Sequence, residues 1–371
     1  MARAEIDRYA GLLRFCNNPS SIARAELAAK PGERERRRNA RCVFIGNMIP
    51  RGVGKNGTAR AAPMAALLLL SLLWTGSALR VDLLPDLQPN LLPHLERQVL
   101  TLALLALSAG LIAIERGAEW PRWRLIRDAI VIGLGLFALP AVLIDLADGS
   151  VSGLARIALL TLVPLFAVIF EPYIGLRSAP QNRGGLLAAL VAGSGSFLVF
   201  PVAIPNSISA GGAFVAVILA AACIAAANCY GVTTATALNG GAKGQIAMMA
   251  SIASASAAAA LTIASICLEQ PIWKWNALEP ELLWSAAIEL PALLLVFWLM
   301  RRMSAPRMAT RYALAPLLAI VIEVALLQYG RDVRLQTWLG LILMAAGAAW
   351  ILFAPPEETQ PSALPLDLDR R

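Results

Sequence analysis

The sequence predicts an all-α integral membrane protein of about ten transmembrane helices, arranged as two inverted five-helix repeats. Three observations predict it. Apolar residues make up 58% of the 371-residue chain and charged ones only 15%, where soluble domains run near half and a quarter. The apolar residues lie in blocks, and many blocks approach the roughly 20 residues needed to cross a hydrocarbon core of about 30 Å. A short pattern in the fourth block also recurs in the ninth.

The first element is an arm. Residues 1–63 carry thirteen Lys/Arg and five Asp/Glu, which accounts for the whole net charge of +8; the remaining residues hold 19 of each sign. The arm reads as disordered and cytoplasmic, since a basic segment suits the anionic inner face of a bilayer. Confining the excess there removes the main argument for a nucleic-acid partner. The run Glu33-Arg34-Glu35-Arg36-Arg37-Arg38 is too charged for a secretory signal core. Met48 and Met64 lie closer to the first span, so residues 1–47 also read as an upstream extension of the start.

Ten apolar blocks follow, at 64–80, 98–115, 126–146, 154–171, 184–204, 211–230, 246–267, 281–300, 312–328 and 336–354. Their continuous runs favour helices over barrel strands, which alternate in and out. Mean hydropathy over the chain is +0.65. Connections are short, so no soluble domain is inserted. The proline-broken tail 356–371 reads as disordered. Trp120, Trp123, Trp273, Trp275, Trp284 and Trp338 fall near block ends, where indole rings favour the interface.

Loop charges orient the helices. With the N-terminus inside, the even loops hold Arg116, Arg122, Arg124, Arg127, Arg177, Arg183, Lys243, Arg301, Arg302, Arg307 and Arg311. The opposite loops hold Arg80, Arg97, Lys274, Arg331 and Arg334, with Arg156 near one membrane edge. The bias puts both termini in the cytoplasm.

The repeat is Pro164-Leu-Phe-Ala-Val-Ile-Phe-Glu171 against Pro316-Leu-Leu-Ala-Ile-Val-Ile-Glu323, 152 residues apart. Gly175 and Gly185, and likewise Gly330 and Gly340, lead into the last span of each half. A repeat with five spans enters its second copy from the opposite side, so 64–205 and 206–355 are expected to be inverted relatives. In transporters with such repeats the substrate site lies at the midplane between the halves.

Charge inside a span costs about 2.5–3.5 kcal/mol on insertion scales, which makes a retained acid a functional candidate. Glu323 is the deepest, expected to face a central cavity and bind a cation or coupling proton; an interfacial site or a pairing with Arg331 is the other reading. Glu171 lies toward the end of the fourth span, and Glu289 precedes Pro291 in the eighth. Trp74, Asn228 and Tyr230 lie in the first and sixth spans, equivalent under the repeat, and complete the candidate substrate and proton pathway. Asn228 reads equally as glue between helices. Pro164 and Pro316 each remove a backbone hydrogen bond and are expected to kink their helices. The seventh span, dense in Ala and Ser, reads as a close-packing surface.

Catalysis and metal binding find little support. His94 is the sole histidine, expected in a loop, and Cys16, Cys42, Cys223, Cys229 and Cys267 form no CxxC pair. No cofactor is expected. A phosphate-binding G-x-x-x-x-G-K-[ST] loop is missing from the sequence, which argues against a fused ATPase.

Three stretches resemble the EamA-like group of the drug/metabolite transporter superfamily. They are LLLLSLLWTGSALR (67–80) with Trp74 and Gly76, the proline-led fourth and ninth spans, and TWLGLILMAAGAAWILF (337–353) with Gly340 and Gly347. The resemblance covers 64–354. It departs where the family has Gly-Glu after the fourth and ninth spans: here stand Gly175-Leu176 and Gly330-Arg331. The resemblance implies a multi-pass bacterial inner-membrane carrier, not an enzyme. It would move a small-molecule substrate through the lipid bilayer by alternating access, with a proton or exchange gradient and in the export direction. A flippase-type carrier of a lipid-linked sugar is the alternative.

Overall fold

A backbone in hydrocarbon must satisfy its own hydrogen bonds, and long apolar segments do so by coiling. The computed structural model describes residues 56–83, 94–174, 183–200, 202, 205–237, 244–268, 280–326 and 334–354, and all regular structure among them is helical. Each of the ten predicted blocks contains a helix. These helices are α1 (Asn56–Leu83), α2 (His94–Glu115), α3 (Trp123–Leu146), α4 (Gly153–Ile174), α5 (Arg183–Val199), α6 (Ile208–Ala237), α7 (Gln245–Leu268), α8 (Pro280–Met300), α9 (Arg311–Leu326) and α10 (Leu335–Phe353). Six of them, α2, α3, α4, α6, α7 and α10, are long and apolar enough to cross a membrane by length and composition. The basic arm before Asn56, the tail after Ala354, the Gly175-Leu176 and Gly330-Arg331 positions, Trp273 and Trp275 lie outside the described residues.

Helix ends follow local chemistry. Ser152 caps α4 by accepting from the Ala155 amide at 3.3 Å. Gly117 turns the chain at the end of α2 with φ of +66°, a left-handed conformation that glycine adopts without a Cβ penalty. The fifth block runs apolar to residue 204, but α5 stops at Val199, because Pro201 disfavours helical backbone at Phe200.

Several helices run past the hydropathy blocks. Arg80 and Arg97, placed by the sequence in an outer loop, belong to α1 and α2. His94, also expected in a loop, is the first residue of α2 and sits 3.7 Å from Asp145 Oδ1. Hydropathy does not mark these helix ends, because backbone hydrogen bonding continues through polar and charged residues as readily as through apolar ones.

Among the described residues a break precedes each proline the repeat singles out, three residues before Pro164 and six before Pro316. In α4 the break falls at Thr161 and Leu162, between Gly153–Leu160 and Val163–Ile174. Pro164 is therefore the second residue of a new helix, where its missing N–H is not needed. A one-turn helix, Ala305–Ala309, precedes α9 and is separated from it by Thr310. At both breaks a buried threonine hydroxyl donates to a carbonyl three residues back: Thr161 to Ala158, and Thr310 to Arg307, each at 2.6 Å. Pro316 lies inside α9. The segment 301–310, expected as a loop, is folded into the core: Met303, Ala305, Met308 and Ala309 are all buried.

Packing depends on small residues. A Cβ on Gly195 of α5 would fall 2.6 Å from the Gly340 carbonyl oxygen of α10, and one on Gly340 would fall 2.7 Å from the Gly195 oxygen. Bare backbones thus pack against each other at this crossing, as small-residue interfaces in membranes allow. Gly133 of α3 would run into the Ala253 carbonyl of α7 in the same way. The Ala/Ser face of α7 is a packing surface, with Ala250, Ala253, Ser254, Ala257 and Leu261 buried, and Ser251 Oγ donates to the Ala106 oxygen of α2 at 2.7 Å. The outer faces remain apolar: Leu68, Leu69, Leu72, Leu107, Leu111, Leu190 and Ile342 are exposed. Patches of this extent are foreign to a monomer in water and natural against lipid. Trp120, Trp123 and Trp338 are also exposed, at helix ends.

Candidate functional site

The polar groups buried in a bilayer helix bundle must find partners within it. Here they gather where α1, α6 and α9 meet. Arg311, the first residue of α9, is fully buried. Its Nη2 donates to Asn228 Oδ1 of α6 at 3.3 Å and to Tyr312 Oη at 3.5 Å. The guanidinium lies over the Trp74 ring of α1 at 4.9 Å and over the Tyr312 ring at 5.0 Å. Those rings themselves meet at 5.4 Å, inclined by 60°. Next to them, Thr75 Oγ1 donates to the Ala315 oxygen at 2.9 Å and pins α1 to α9.

Cation–π contact with a desolvated guanidinium contributes about 2 kcal/mol, which partly offsets taking the charge out of water. Hydrogen bonding is incomplete. Arg311 Nε and Nη1 and Asn228 Nδ2 are buried with no hydrogen-bond partner among the described residues.

Trp74 also lines a cavity of about 390 Å³, with Leu102, Leu105, Phe137, Glu289, Leu293 and Val296 among its walls. One wall has an unusual backbone: Leu134–Ala138 forms a π-helical turn ahead of Pro140. Such turns are rare and concentrate at functional sites. The turn contributes Phe137 to the cavity. Glu289 is the cavity acid, and Arg97 lies within its electrostatic reach.

Of the residues the sequence selected, Trp74 and Asn228 come together through Arg311. Tyr230 goes elsewhere: its hydroxyl donates to Asp128 Oδ1 of α3 at 2.7 Å, and Asp128 is paired with Arg127 at 3.1 Å. Glu171 is half-buried within electrostatic reach of Arg307 and Cys229. Glu323 is twelve residues beyond Arg311, about 18 Å further along α9, and does not appear in the cavity wall. Arg311 and Tyr312 were missed. Arg311 was counted as a cytoplasmic loop charge and is instead inside the bundle. The apolar residues of the preceding segment, Met303, Ala305, Met308 and Ala309, were the signal that this stretch is not a solvated loop. Among the described residues no His, Cys, Asp and Glu cluster could hold a metal ion.

No family model and no curated protein matches the chain. In fold, 26 solved chains match. One, described as "Crystal structure of protein", superposes with a TM-score of 0.61 at 16% identity, covering 79% of this chain and 99% of that one. At that identity the likeness concerns the fold alone.

Proposed function

We propose that this chain is a secondary carrier of the drug/metabolite transporter type, moving a small metabolite across a bacterial inner membrane by alternating access. The observation that carries this reading is which helices pack most closely. The two most extensive pairings are α2 with α7 and α5 with α10. Each joins helix n to helix n + 5, and self-equivalent partners of this kind are what a twofold axis relating two five-helix halves would bring together. A break precedes the repeat proline in each half, at Thr161 and at Thr310, the second lying three residues further from its proline than the first. Carriers built from inverted repeats place the substrate at the repeat interface and use discontinuous helices there. The cavity beside Trp74, walled by α2 and α3 from one half and α8 from the other, fits that location.

In this reading both termini are cytoplasmic, no cofactor takes part, and a proton or a counter-substrate supplies the driving force. The test is sided labelling. Leu293→Cys and Val296→Cys, each in a chain whose own cysteines are replaced by serine, are exposed to a membrane-impermeant maleimide in right-side-out and in inverted vesicles. Alternating access predicts labelling from both sides. Labelling from one side only would overturn the carrier reading.

A further inference from the structure

The polar cluster at Arg311 has an imbalance of one kind only. A guanidinium has five N–H donors and no acceptor. Both hydrogens of Nη2 have acceptors, in Asn228 Oδ1 and Tyr312 Oη. The hydrogens on Nε and Nη1 have none among the described residues, and the Asn228 amide nitrogen has none either. Everything left over is therefore a donor, and the site is positive.

Among the described residues no carboxylate forms an ion pair with Arg311. The described ion pairs of the chain lie elsewhere, at Arg127 with Asp128 and Arg156 with Asp148. Glu289 shares the cavity wall with Trp74, and Arg97 lies within its electrostatic reach; Arg307 lies within that of Glu171. An uncompensated buried charge costs several kcal/mol, and an ionisable residue retained inside a membrane bundle marks a candidate functional site.

We infer that the cargo is a small organic oxyanion, its acid group held by Arg311 and Asn228 and its apolar body lying in the cavity beside Trp74. This rests on the carrier reading and narrows it to a substrate class. An oxyanion is acceptor-only and negative, which matches the surplus in both hydrogen bonding and charge. Arginine suits it because the planar fork takes two oxygens of a carboxylate, sulfonate or phosphonate at once; each edge of that fork includes an Nη2 hydrogen, so the anion takes the place of the 3.5 Å contact to Tyr312 Oη. Trp74 joins the two compartments: the guanidinium lies over its ring, and it lines the cavity together with Leu102, Leu105, Phe137, Leu293 and the acid Glu289. Arg311 follows directly on the Thr310 break. A rotation of α9 there would turn the guanidinium between the closed cluster and the cavity without disturbing a continuous helix.

The same chemistry describes a free organic acid and a lipid phosphate, and the experiment separates them. The full chain, purified in a nonionic detergent, is titrated with benzenesulfonate, phenylphosphonate, the neutral isostere benzenesulfonamide, and dodecyl phosphate, with thermal unfolding as the readout. The two soluble anions should raise the midpoint by a few degrees, and benzenesulfonamide should leave it in place. Stabilisation by dodecyl phosphate without the soluble anions retains the oxyanion site and assigns it to a lipid headgroup. Arg311→Gln should weaken anion binding by about 30-fold or more, as loss of one partner in a buried charged pair does. Asn228→Ala should weaken it by about fivefold, the scale of one net hydrogen bond. Should Arg311→Gln not fold, Arg311→Lys keeps the charge, loses the fork, and should still weaken binding by about tenfold.

Equal stabilisation by benzenesulfonamide, unchanged affinity in the arginine variants, or no stabilisation by any of the three anions overturns the inference. Anion binding in a chain whose cavity cysteines label from one side leaves the oxyanion site standing and removes the carrier. Two-sided labelling without anion preference does the reverse.

Discussion

Gly347→Ala and Gly76→Ala are the same chemical change in two apolar helices, and the structure gives them opposite signs. A Cβ on Gly347 of α10 would lie 2.5 Å from the Ala192 nitrogen and 2.6 Å from the Ala188 oxygen of α5. Both are backbone atoms, so no side chain can swing aside, and ordinary carbon contacts need about 3.5–4.0 Å. The helices must separate by about 1 Å, which opens the Gly195–Gly340 crossing as well. Overpacking of this kind costs about 1–3 kcal/mol. At Gly76 of α1 nothing lies within 4 Å of the added methyl group. There only helix propensity acts, and alanine should stabilise by about 0.5–1 kcal/mol. Unfolding of the two variants in mixed micelles, followed by circular dichroism against added denaturing detergent, measures both. Equal shifts, or a Gly347→Ala protein as stable as its parent, would refute the close backbone contact of α5 with α10.

Other predictions follow from named contacts. Tyr230→Phe removes the hydroxyl that donates to Asp128 and should cost about 1–2 kcal/mol in the same unfolding assay, with anion affinity unchanged. Leu105→Trp, placed in the cavity wall, should reduce binding of benzenesulfonate while leaving the affinity for inorganic sulfate intact, because it fills the apolar compartment only. Glu323→Gln should abolish exchange or its pH dependence; exchange with an unaltered pH profile would take Glu323 off the pathway.

The helices were legible because the thickness of a bilayer sets the length of an apolar run. Block ends were less so: hydropathy marks the edge of the hydrocarbon, whereas α1, α2 and α6 carry their hydrogen bonding past it. At the site, Trp74 and Asn228 were readable as polar or amphipathic residues within spans. Tyr230 looked equally good, but two residues along a helix is a turn of about 200°. It therefore faces α3 while Asn228 faces Arg311. Arg311 was hidden by the convention that an arginine between apolar blocks belongs to a loop. Only the folding of 301–310 into the core, through Ala305–Ala309 and the Thr310 break, carries it inside. The signal there is short, the apolar Ala305, Met308 and Ala309 at i, i+3 and i+4 over a single turn, and the surrounding arginines mask it.

The proposed carrier moves an organic oxyanion across the membrane on Arg311. Exchange in proteoliposomes tests it most directly, with radiolabelled benzenesulfonate outside and unlabelled benzenesulfonate inside. The ion stays charged at all working pH values and so crosses lipid slowly without help. The account predicts saturable uptake that is accelerated by the internal anion and lost in Arg311→Gln. Uptake no faster than in protein-free vesicles, or uptake that survives Arg311→Gln, would contradict it.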